Sequence, residues 1–260
     1  MSVGLAVARP RHNHKAVFPT MGTMATLTLA STVDADEAAR ARHACEFSLA
    51  ADEHRFSHYD ERSEITRWLN GEPIGSEALR DIRTVIDECM LLQVASEGVF
   101  SPFDPATGRL DTAGYAKGHA ISKAVDAVRS VGVHDFSLNV GGDTYCSGQP
   151  AARRSWRIGV ADPARRRGVA AVLEVEDGAV ATSGSAERGQ HIWHRRPSAK
   201  NLFSFTVTGP DIATADAYAT IGFAMGERGI EWVGAHEGYS SLAIRADGWI
   251  VGDAGGQLAG

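Results

Sequence analysis

A glycine-bearing stretch from Asp111 to Cys146 places the strongest constraint on how this chain of 260 residues can fold. It reads as a polar turn over 111–120, an amphipathic helix over 121–132 and a strand over 136–140 that ends in a pair of glycines. Apolar residues recur at helical spacing through the helix, whereas apolar and polar residues alternate along the strand. Gly132 stands where the glycine that follows a helix is expected. The stretch therefore predicts a compact turn–helix–strand unit.

Lys117 lies between Asp111 and the predicted helix, among small residues. At the start of a helix, the first backbone N–H groups and the positive end of the dipole face any bound anion, such as a phosphate. An ordinary turn with a surface lysine would show the same residues, because glycine-rich turns before helices are common. Spacing alone leaves both interpretations open.

The motif Asp-x-x-Gly-x-x-Lys-Gly, followed by a helix and then by Asn-x-Gly-Gly-Asp, resembles the signature of the ApbE family of flavin transferases. Further blocks occur in the same order as in that family. They are Met21-Gly22-Thr23; Phe56-Ser57-His58-Tyr59 with Ser63-Glu64-Ile65 and Asn70; Ala181-Thr182-Ser183-Gly184 with Glu187-Arg188; and Ala215-Asp216-Ala217 with Ala219-Thr220. A set of ordered blocks is more specific than a single glycine loop.

This resemblance implies an α+β fold with the ligand in a cleft between two lobes. It also implies a Mg²⁺-dependent FAD:protein FMN transferase, which moves FMN from FAD to a serine or threonine hydroxyl of an acceptor flavoprotein and releases AMP. Two alternatives stay open: an FAD pyrophosphatase that gives FMN and AMP, and an FAD-binding protein without catalysis. The irregular alternation of predicted helices and strands also favours the α+β class, and the sequence contains neither a dinucleotide fingerprint nor a Walker loop.

Asp216 and Thr220 are four residues apart on a predicted helix over 211–225, so their side chains project from one face. A carboxylate and a hydroxyl at that spacing suit a hard cation such as Mg²⁺, although the same pair also occurs on ordinary helices. The resemblance identifies both as metal ligands and adds the main-chain carbonyl of Gly114. It places Lys117 as a second cation near the phosphates of FAD.

The resemblance assigns Met21, Tyr59 and Asp111 to the flavin side of the site. From the residues alone, Met21 suits a core position as well as a place against a flat ring, because its thioether side chain is adaptable. Tyr59 could stack on an aromatic ligand or simply anchor its loop.

His191 is, by the same resemblance, the base that takes the proton from the acceptor hydroxyl, and Trp193 lies on the adenine side. The family reads His-Ile-x-Asp-Pro-x-Thr-Gly here, whereas this chain continues from Trp193 with His-Arg-Arg-Pro-Ser over 194–198. This difference from the family at 194–198 affects the loop that shapes the acceptor channel more than it affects the binding of FAD.

The net charge of −6 argues against a dedicated nucleic-acid or anionic-membrane binder. An anionic ligand would therefore need a local basic site or a metal. Three widely spaced cysteines indicate neither a disulfide framework nor a zinc site, and fit a reducing compartment. No transmembrane segment is recognised, and charge follows the mildly apolar start, the reverse of a secretory signal. A cytoplasmic location is expected, although many relatives are exported.

The remaining pattern predicts a flexible tail over 1–15 and a single domain over 16–260. It predicts helices over 34–56 and over 76–95, the second with Ser76 as N-cap and with Leu91 and Val94 on its core face. Asp-Gly pairs predict two hairpins, one between strands 169–175 and 178–182, the other closing the chain around Asp247-Gly248.

Overall fold

A computed structural model describes residues 13–104, 107–151, 153–162, 165, 168–184, 202–253 and 257–258. The helices are α1 Ala35–Phe56, α2 Glu64–Leu69, α3 Ser76–Ala95, α4 Ala113–Ser130, α5 Ile212–Met225 and α6 Arg228–Gly234. The strands are β1 His14–Thr20, β2 Thr23–Leu29, β3 Phe136–Val140, β4 Asp143–Ser147, β5 Trp156–Asp162, β6 Gly168–Val175, β7 Gly178–Gly184, β8 Leu202–Gly209, β9 Ser240–Arg245, β10 Ile250–Asp253 and β11 Gln257–Leu258. This mixture of helices and strands confirms the predicted α+β class.

An eight-stranded antiparallel sheet with the order β1-β2-β3-β4-β7-β8-β9-β10 forms the centre of the molecule, and a smaller sheet has the order β11-β6-β5. Successive side chains of a strand point to opposite faces. Ala179 and Ala181 of β7 accordingly lie in the core against the helices, whereas Val180 lies in the core with Leu173 and Leu242. Helices therefore cover one face of the large sheet, and the small sheet covers part of the other.

The hairpin predicted between strands 169–175 and 178–182 is wrong. β6 pairs with β5 in the small sheet, whereas β7 pairs with β4 and β8 in the large one. The Asp177-Gly178 turn carries the chain between the sheets, and a side chain at Gly178 would meet the carbonyl oxygen of Gly209 at 3.0 Å. The closing hairpin around Asp247-Gly248 is confirmed, because β9 and β10 pair there.

The long helices follow the predicted periodicity, with differences at their ends and faces. Asp34 caps α1, and its carboxylate accepts hydrogen bonds from the N–H groups of Asp36 and Glu37. Ser76 is not an N-cap, because it is already helical and Gly75 precedes α3. The buried face of α3 is Ala78, Ile82, Val85, Cys89 and Leu92, which leaves Leu91 and Val94 exposed, against the prediction.

The N-terminal boundary lies earlier than the sequence indicated. His14 and Lys15, which the sequence analysis assigned to a tail, are the first residues of β1, and residues 1–12 lie outside the described part of the chain. Among the described residues, no helix combines the length and apolar character needed to cross a membrane.

A network of ion pairs around Asp81 of α3 ties several helices together. Its carboxylate accepts hydrogen bonds from His119 at 3.1 Å and Lys123 at 2.6 Å, both on α4, and from Arg55 at the end of α1. Arg55 also donates to Glu64 of α2 at 2.8 Å. Burial would raise the pKa of Asp81, but these three donors hold it below its usual value. The network fixes α4 against α1 and α3.

We expect Asp81→Asn to lower the free energy of unfolding by about 3 kcal/mol at neutral pH, because three hydrogen-bond donors, two of them the cations Arg55 and Lys123, lose one partly buried carboxylate. Glu77→Gln is the matched control: its side chain is 81% exposed and lies 3.6 Å from the same Arg55, so the change should stay within about 0.5 kcal/mol. Urea unfolding measures both.

The difference in the free energy of unfolding between wild type and Asp81→Asn should change with pH in a defined direction. Because the folded pKa of Asp81 is depressed, its stabilisation is complete above the unfolded value of about 3.9 and is lost as the pH falls through the folded value. The difference in the free energy of unfolding between the two proteins should therefore become smaller in acid. A gap that widens toward low pH would contradict this explanation of the network.

Candidate active site

Two hairpin turns lie side by side at one end of the large sheet. Met21 and Gly22 join β1 to β2 with φ of 50° and 69°, and Gly141 and Gly142 join β3 to β4 with φ of 57° and 98°. Two-residue turns with positive φ at both positions match the twist of antiparallel strands. The N–H of Gly141 donates to the carbonyl of Met24 at 3.2 Å, which ties the second turn to the start of β2. The second turn places Asp143 at the start of β4.

Lys117 of α4 lies between two buried carboxylates, Asp143 of β4 and Asp216 of α5. Its ammonium contacts Oδ2 of Asp143 directly and lies 3.3 Å from Oδ1 of Asp216. Both aspartate side chains are 0% exposed, and that of Lys117 is 13% exposed. The other oxygen of Asp143, Oδ1, accepts a hydrogen bond of 2.9 Å from the N–H of Thr182 in β7. One cluster thus joins the sheet to two helices.

The electrostatics of the cluster follow from two carboxylates sharing an ammonium in a buried place. Burial, and then the neighbouring Asp216, raise the pKa of Asp143 to about 7, against the opposing effect of Lys117. Burial also raises the pKa of Asp216, and Lys117 opposes the rise. Burial alone would lower the pKa of Lys117, but the two carboxylates hold it above its usual value. The Lys117 side chain is therefore held in its charged form by the two carboxylates.

Gly118 lets α4 and α5 approach closely enough to form the cluster. A Cβ atom at this position would lie 2.7 Å from the Cα of Ala213, 3.0 Å from the carbonyl oxygen of Ile212 and 3.1 Å from the Cβ of Asp216. The first two are backbone atoms, which cannot move aside as a side chain would. The glycine that follows Lys117 in the predicted motif therefore sets the spacing of the two helices.

The position of Lys117 differs from the prediction. The sequence placed it in a turn at the mouth of a helix that began near residue 121, whereas α4 begins at Ala113 and holds Lys117 in its second turn. The first N–H groups of α4 thus lie about one turn before Lys117 along the helix. Asp111 is nearer to them, and its carboxylate accepts a hydrogen bond from the N–H of Ala113 at 2.9 Å.

Oxygen donors for a divalent cation lie next to the cluster. Thr220 follows Asp216 by one turn of α5, as predicted, and its hydroxyl oxygen lies 3.1 Å from that of Ser183. Gly114 lies one turn before Gly118 on α4, with the ring of Phe100 against it. Among the described residues no group of three or more His, Cys, Asp or Glu is arranged to hold a metal. A donor set of carboxylate and hydroxyl oxygens still fits Mg²⁺, which takes few protein ligands and keeps several waters.

His58, which the sequence did not single out, fixes the loop that carries Tyr59. Its Nε2 accepts a hydrogen bond of 3.3 Å from the N–H of Thr112, the residue before α4. Burial lowers the pKa of His58 and so keeps its ring neutral, as an acceptor must be. Tyr59 itself is 92% exposed, which excludes the alternative that it anchors the loop.

Tyr59 borders an open cavity of about 1040 Å³ on the helical side of the molecule. His58, Arg62, Arg67 and Arg109 also line it, whereas Lys117, Asp143 and Asp216 are not among its lining residues. The buried cluster is therefore not part of the wall of this cavity. Asp111 lies near His58, since its charge acts on the pKa of that ring.

The structure describes Met21 but neither His191 nor Trp193, the other predicted contacts. Met21 packs partly against the main core, so its core role is observed and its contact with flavin stays a prediction. Its φ of 50° is unusual for a residue with a side chain. His191 and Trp193 lie outside the described residues, and their predicted roles are untested.

Sequence reasoning missed Asp143 and Ser183 as members of the site. Asp143 is the last residue of the Asn-x-Gly-Gly-Asp motif, and its place in that motif could have identified it as a site residue. Ser183 belongs to the Ala-Thr-Ser-Gly block. The remaining block residues around Ser63 are structural: the Ser63 hydroxyl caps α2, and Ile65 is 0% exposed in the second core.

Fold and site together define a protein with helices on one face of an antiparallel sheet and a buried carboxylate–lysine cluster at a sheet end. A family model described as the ApbE family matches residues 102–242, which include Lys117, Asp143 and Asp216. The match covers more than half of the chain, and the chain belongs to the ApbE family.

Curated relatives carry the name FAD:protein FMN transferase. The protein from Vibrio cholerae is 28% identical over 151 residues, which cover 53% of this chain and 45% of the relative. That from Salmonella typhimurium is 25% identical over 151 residues, which cover 54% of this chain and 43% of the relative. The match thus spans less than half the length of these relatives.

Solved structures show the same fold over nearly the whole chain. An ApbE protein from Thermotoga maritima has a TM-score of 0.75 and 21% identity, covering 93% of this chain and 97% of that one. The flavin transferase ApbE from Vibrio cholerae has a TM-score of 0.73 and 22% identity, covering 94% of this chain and 97% of that one.

Gly118→Ala should destabilise the protein by about 1–3 kcal/mol, because the added methyl group meets backbone and forces α4 away from α5. Gly234→Ala is the matched control, since nothing lies within 4 Å of the atom it adds, and we expect a change of less than about 1 kcal/mol. Denaturant unfolding compares the two. Equal stabilities would show that the helices do not depend on this close approach.

Proposed function

We propose that this chain is a Mg²⁺-dependent FAD:protein FMN transferase. In the proposed reaction, the hydroxyl oxygen of a serine or threonine in an acceptor flavoprotein bonds to the FMN phosphorus of FAD. The bond between that phosphorus and the bridging oxygen breaks, and AMP leaves with the bridging oxygen. The hydroxyl proton passes to a base.

The observation that carries the proposal is the cluster of Lys117, Asp143 and Asp216 within the family-matched segment. A chain of net charge −6 repels an anionic pyrophosphate at long range, so it needs local positive charge. Lys117 supplies one such charge in a fixed place, because both of its carboxylate partners come from other elements of the fold. The names of the curated relatives point to the same reaction.

Each residue has a proposed part. Asp216 and Thr220, with the carbonyl of Gly114, would hold Mg²⁺, which when bound supplies charge neutralisation at the pyrophosphate. Lys117 would orient the phosphates as a fixed ammonium. The buried position of the cluster excludes bulk water, and this strengthens its electrostatic effect on a bound phosphate.

The flavin and adenine ends of FAD would lie further out. Met21, in its turn at the sheet end, and Asp111, at the start of α4, would contact the flavin side, with Tyr59 offering an exposed ring for stacking. Trp193 would contact the adenine side, and His191 would accept the hydroxyl proton.

Asp216→Asn should abolish AMP release from FAD and Mg²⁺ in the presence of an acceptor domain, because a charged ligand is replaced by a neutral one. Thr220→Val should have a milder effect, since a neutral ligand is lost. AMP can be quantified by chromatography, with and without the acceptor. Full activity of Asp216→Asn would contradict the metal assignment, and equal AMP release without an acceptor would indicate an FAD pyrophosphatase.

Ser183→Ala is the control for Thr220→Val. It removes the hydroxyl that lies 3.1 Å from that of Thr220 but leaves the Thr220 hydroxyl in place. If Thr220 acts as a ligand, Ser183→Ala should retain more activity than Thr220→Val. The reverse order would assign the effect to the hydrogen bond between the two hydroxyls.

His191→Ala should reduce FMN transfer by on the order of 10²–10⁴-fold while FAD still binds, because a general base acts only in the chemical step. His194→Ala is the matched control, three residues along the chain. FAD binding and AMP release should be measured for both. A loss of turnover in His194→Ala alone would overturn the assignment of His191, and unchanged turnover in both would remove histidine from the mechanism.

A further inference from the structure

The two carboxylates that contact Lys117 are not equivalent. Asp143 is in direct contact with the ammonium through Oδ2, while Oδ1 of Asp216 lies 3.3 Å away. Asp143 is also anchored, because its Oδ1 accepts the hydrogen bond from the N–H of Thr182 and its backbone follows the tight Gly141-Gly142 turn. The sheet therefore holds Asp143, and Asp143 holds the ammonium.

This asymmetry matters for any cation that Asp216 binds. The ammonium and a divalent cation carry like charges, and two like charges on one buried carboxylate repel strongly. A lysine ammonium sits on a flexible stem of four carbons, so without Asp143 it would move closer to Asp216 than the present 3.3 Å. While the ammonium stays in direct contact with Asp143, its charge lies farther from a second cation that Asp216 binds.

We propose that Asp143 is a positioning residue that keeps the Lys117 ammonium on the sheet side of the cluster, so that Asp216 can ligate a divalent cation. The inference rests on the proposed function only in taking Asp216 as a metal ligand. Asp143 acts through Lys117 and has no contact with substrate in this proposal.

The test follows the Lys117 ammonium directly, in the ¹H–¹⁵N spectrum of the labelled 260-residue chain during titration with Mg²⁺. Lys117→Met identifies the signal by its loss. In the wild type the signal should persist at saturating Mg²⁺, because Asp143 retains the ammonium. In Asp143→Asn the same addition should displace the ammonium and abolish the signal, and calorimetry should show Mg²⁺ binding weakened on the order of tenfold or more.

Asp211→Asn is the matched control. It makes the same change of charge at the N-cap of α5, where Asp211 accepts a hydrogen bond of 2.7 Å from the N–H of Thr214, and asparagine caps a helix equally well. A general effect of charge would weaken Mg²⁺ binding in both variants, whereas the positioning role predicts a large loss in Asp143→Asn alone.

Loss of the Lys117 signal from the wild type on adding Mg²⁺ would overturn the proposal. Equal Mg²⁺ affinity in the wild type and in folded Asp143→Asn would also overturn it. The wild-type titration decides the question even if the variant does not fold. A wild type that binds no Mg²⁺ overturns both this inference and the metal site. Failure to release AMP from FAD, with Mg²⁺ bound and the Lys117 signal retained, would overturn the transferase proposal and leave the role of Asp143 standing.

Discussion

The Lys117 ammonium is shared by the fully buried carboxylates of Asp143 and Asp216. The packing of the surrounding helices and strands holds this cluster in place. Transferring such charges out of water costs several kcal/mol for each ion, and a pair or triad persists only if the surrounding groups hold its geometry. Here the groups come from three directions: α4 brings Lys117, β4 brings Asp143 and α5 brings Asp216. A cluster of this kind is a weak contributor to stability, and its retention in the core points to a role in binding or catalysis.

α4 is held on two sides, and both affect where Lys117 lies. On one side, Gly118 brings the backbone of α5 into contact. On the other, His119 and Lys123 of α4 reach Asp81, which also pairs with Arg55. The helix therefore cannot rotate or shift without breaking either a tight backbone contact or a charged network. This rigidity suits a cation that must meet phosphate oxygens in one geometry.

The sequence predicted the parts of this arrangement that depend on local pattern. The helices that contain Leu49 and Ile82 follow from apolar periodicity, and the position of Asp216 and Thr220 on one face follows from their spacing. The ion pair between Lys117 and Asp143 could not be predicted in this way. It depends on the order in which β2, β3, β4 and β7 pair, which no local pattern contains.

The errors of the sequence analysis have the same physical origin. An Asp-Gly pair between two apolar strands favours a hairpin locally, yet packing between the two sheets gave each strand a better partner. The start of α4 was placed too late, because Gly114 and Gly118 read as turn residues. Both glycines are instead needed within the helix, where Phe100 and the backbone of α5 pack against them.

The most direct test of the account is a crystal structure of the full chain with Mn²⁺ and FAD, using the anomalous scattering of manganese to locate the ion. The account predicts an anomalous peak within bonding distance of the Asp216 carboxylate and the Thr220 hydroxyl, with the FAD pyrophosphate between that ion and the ammonium of Lys117. An ion bound elsewhere, or a pyrophosphate out of reach of Lys117, would contradict it.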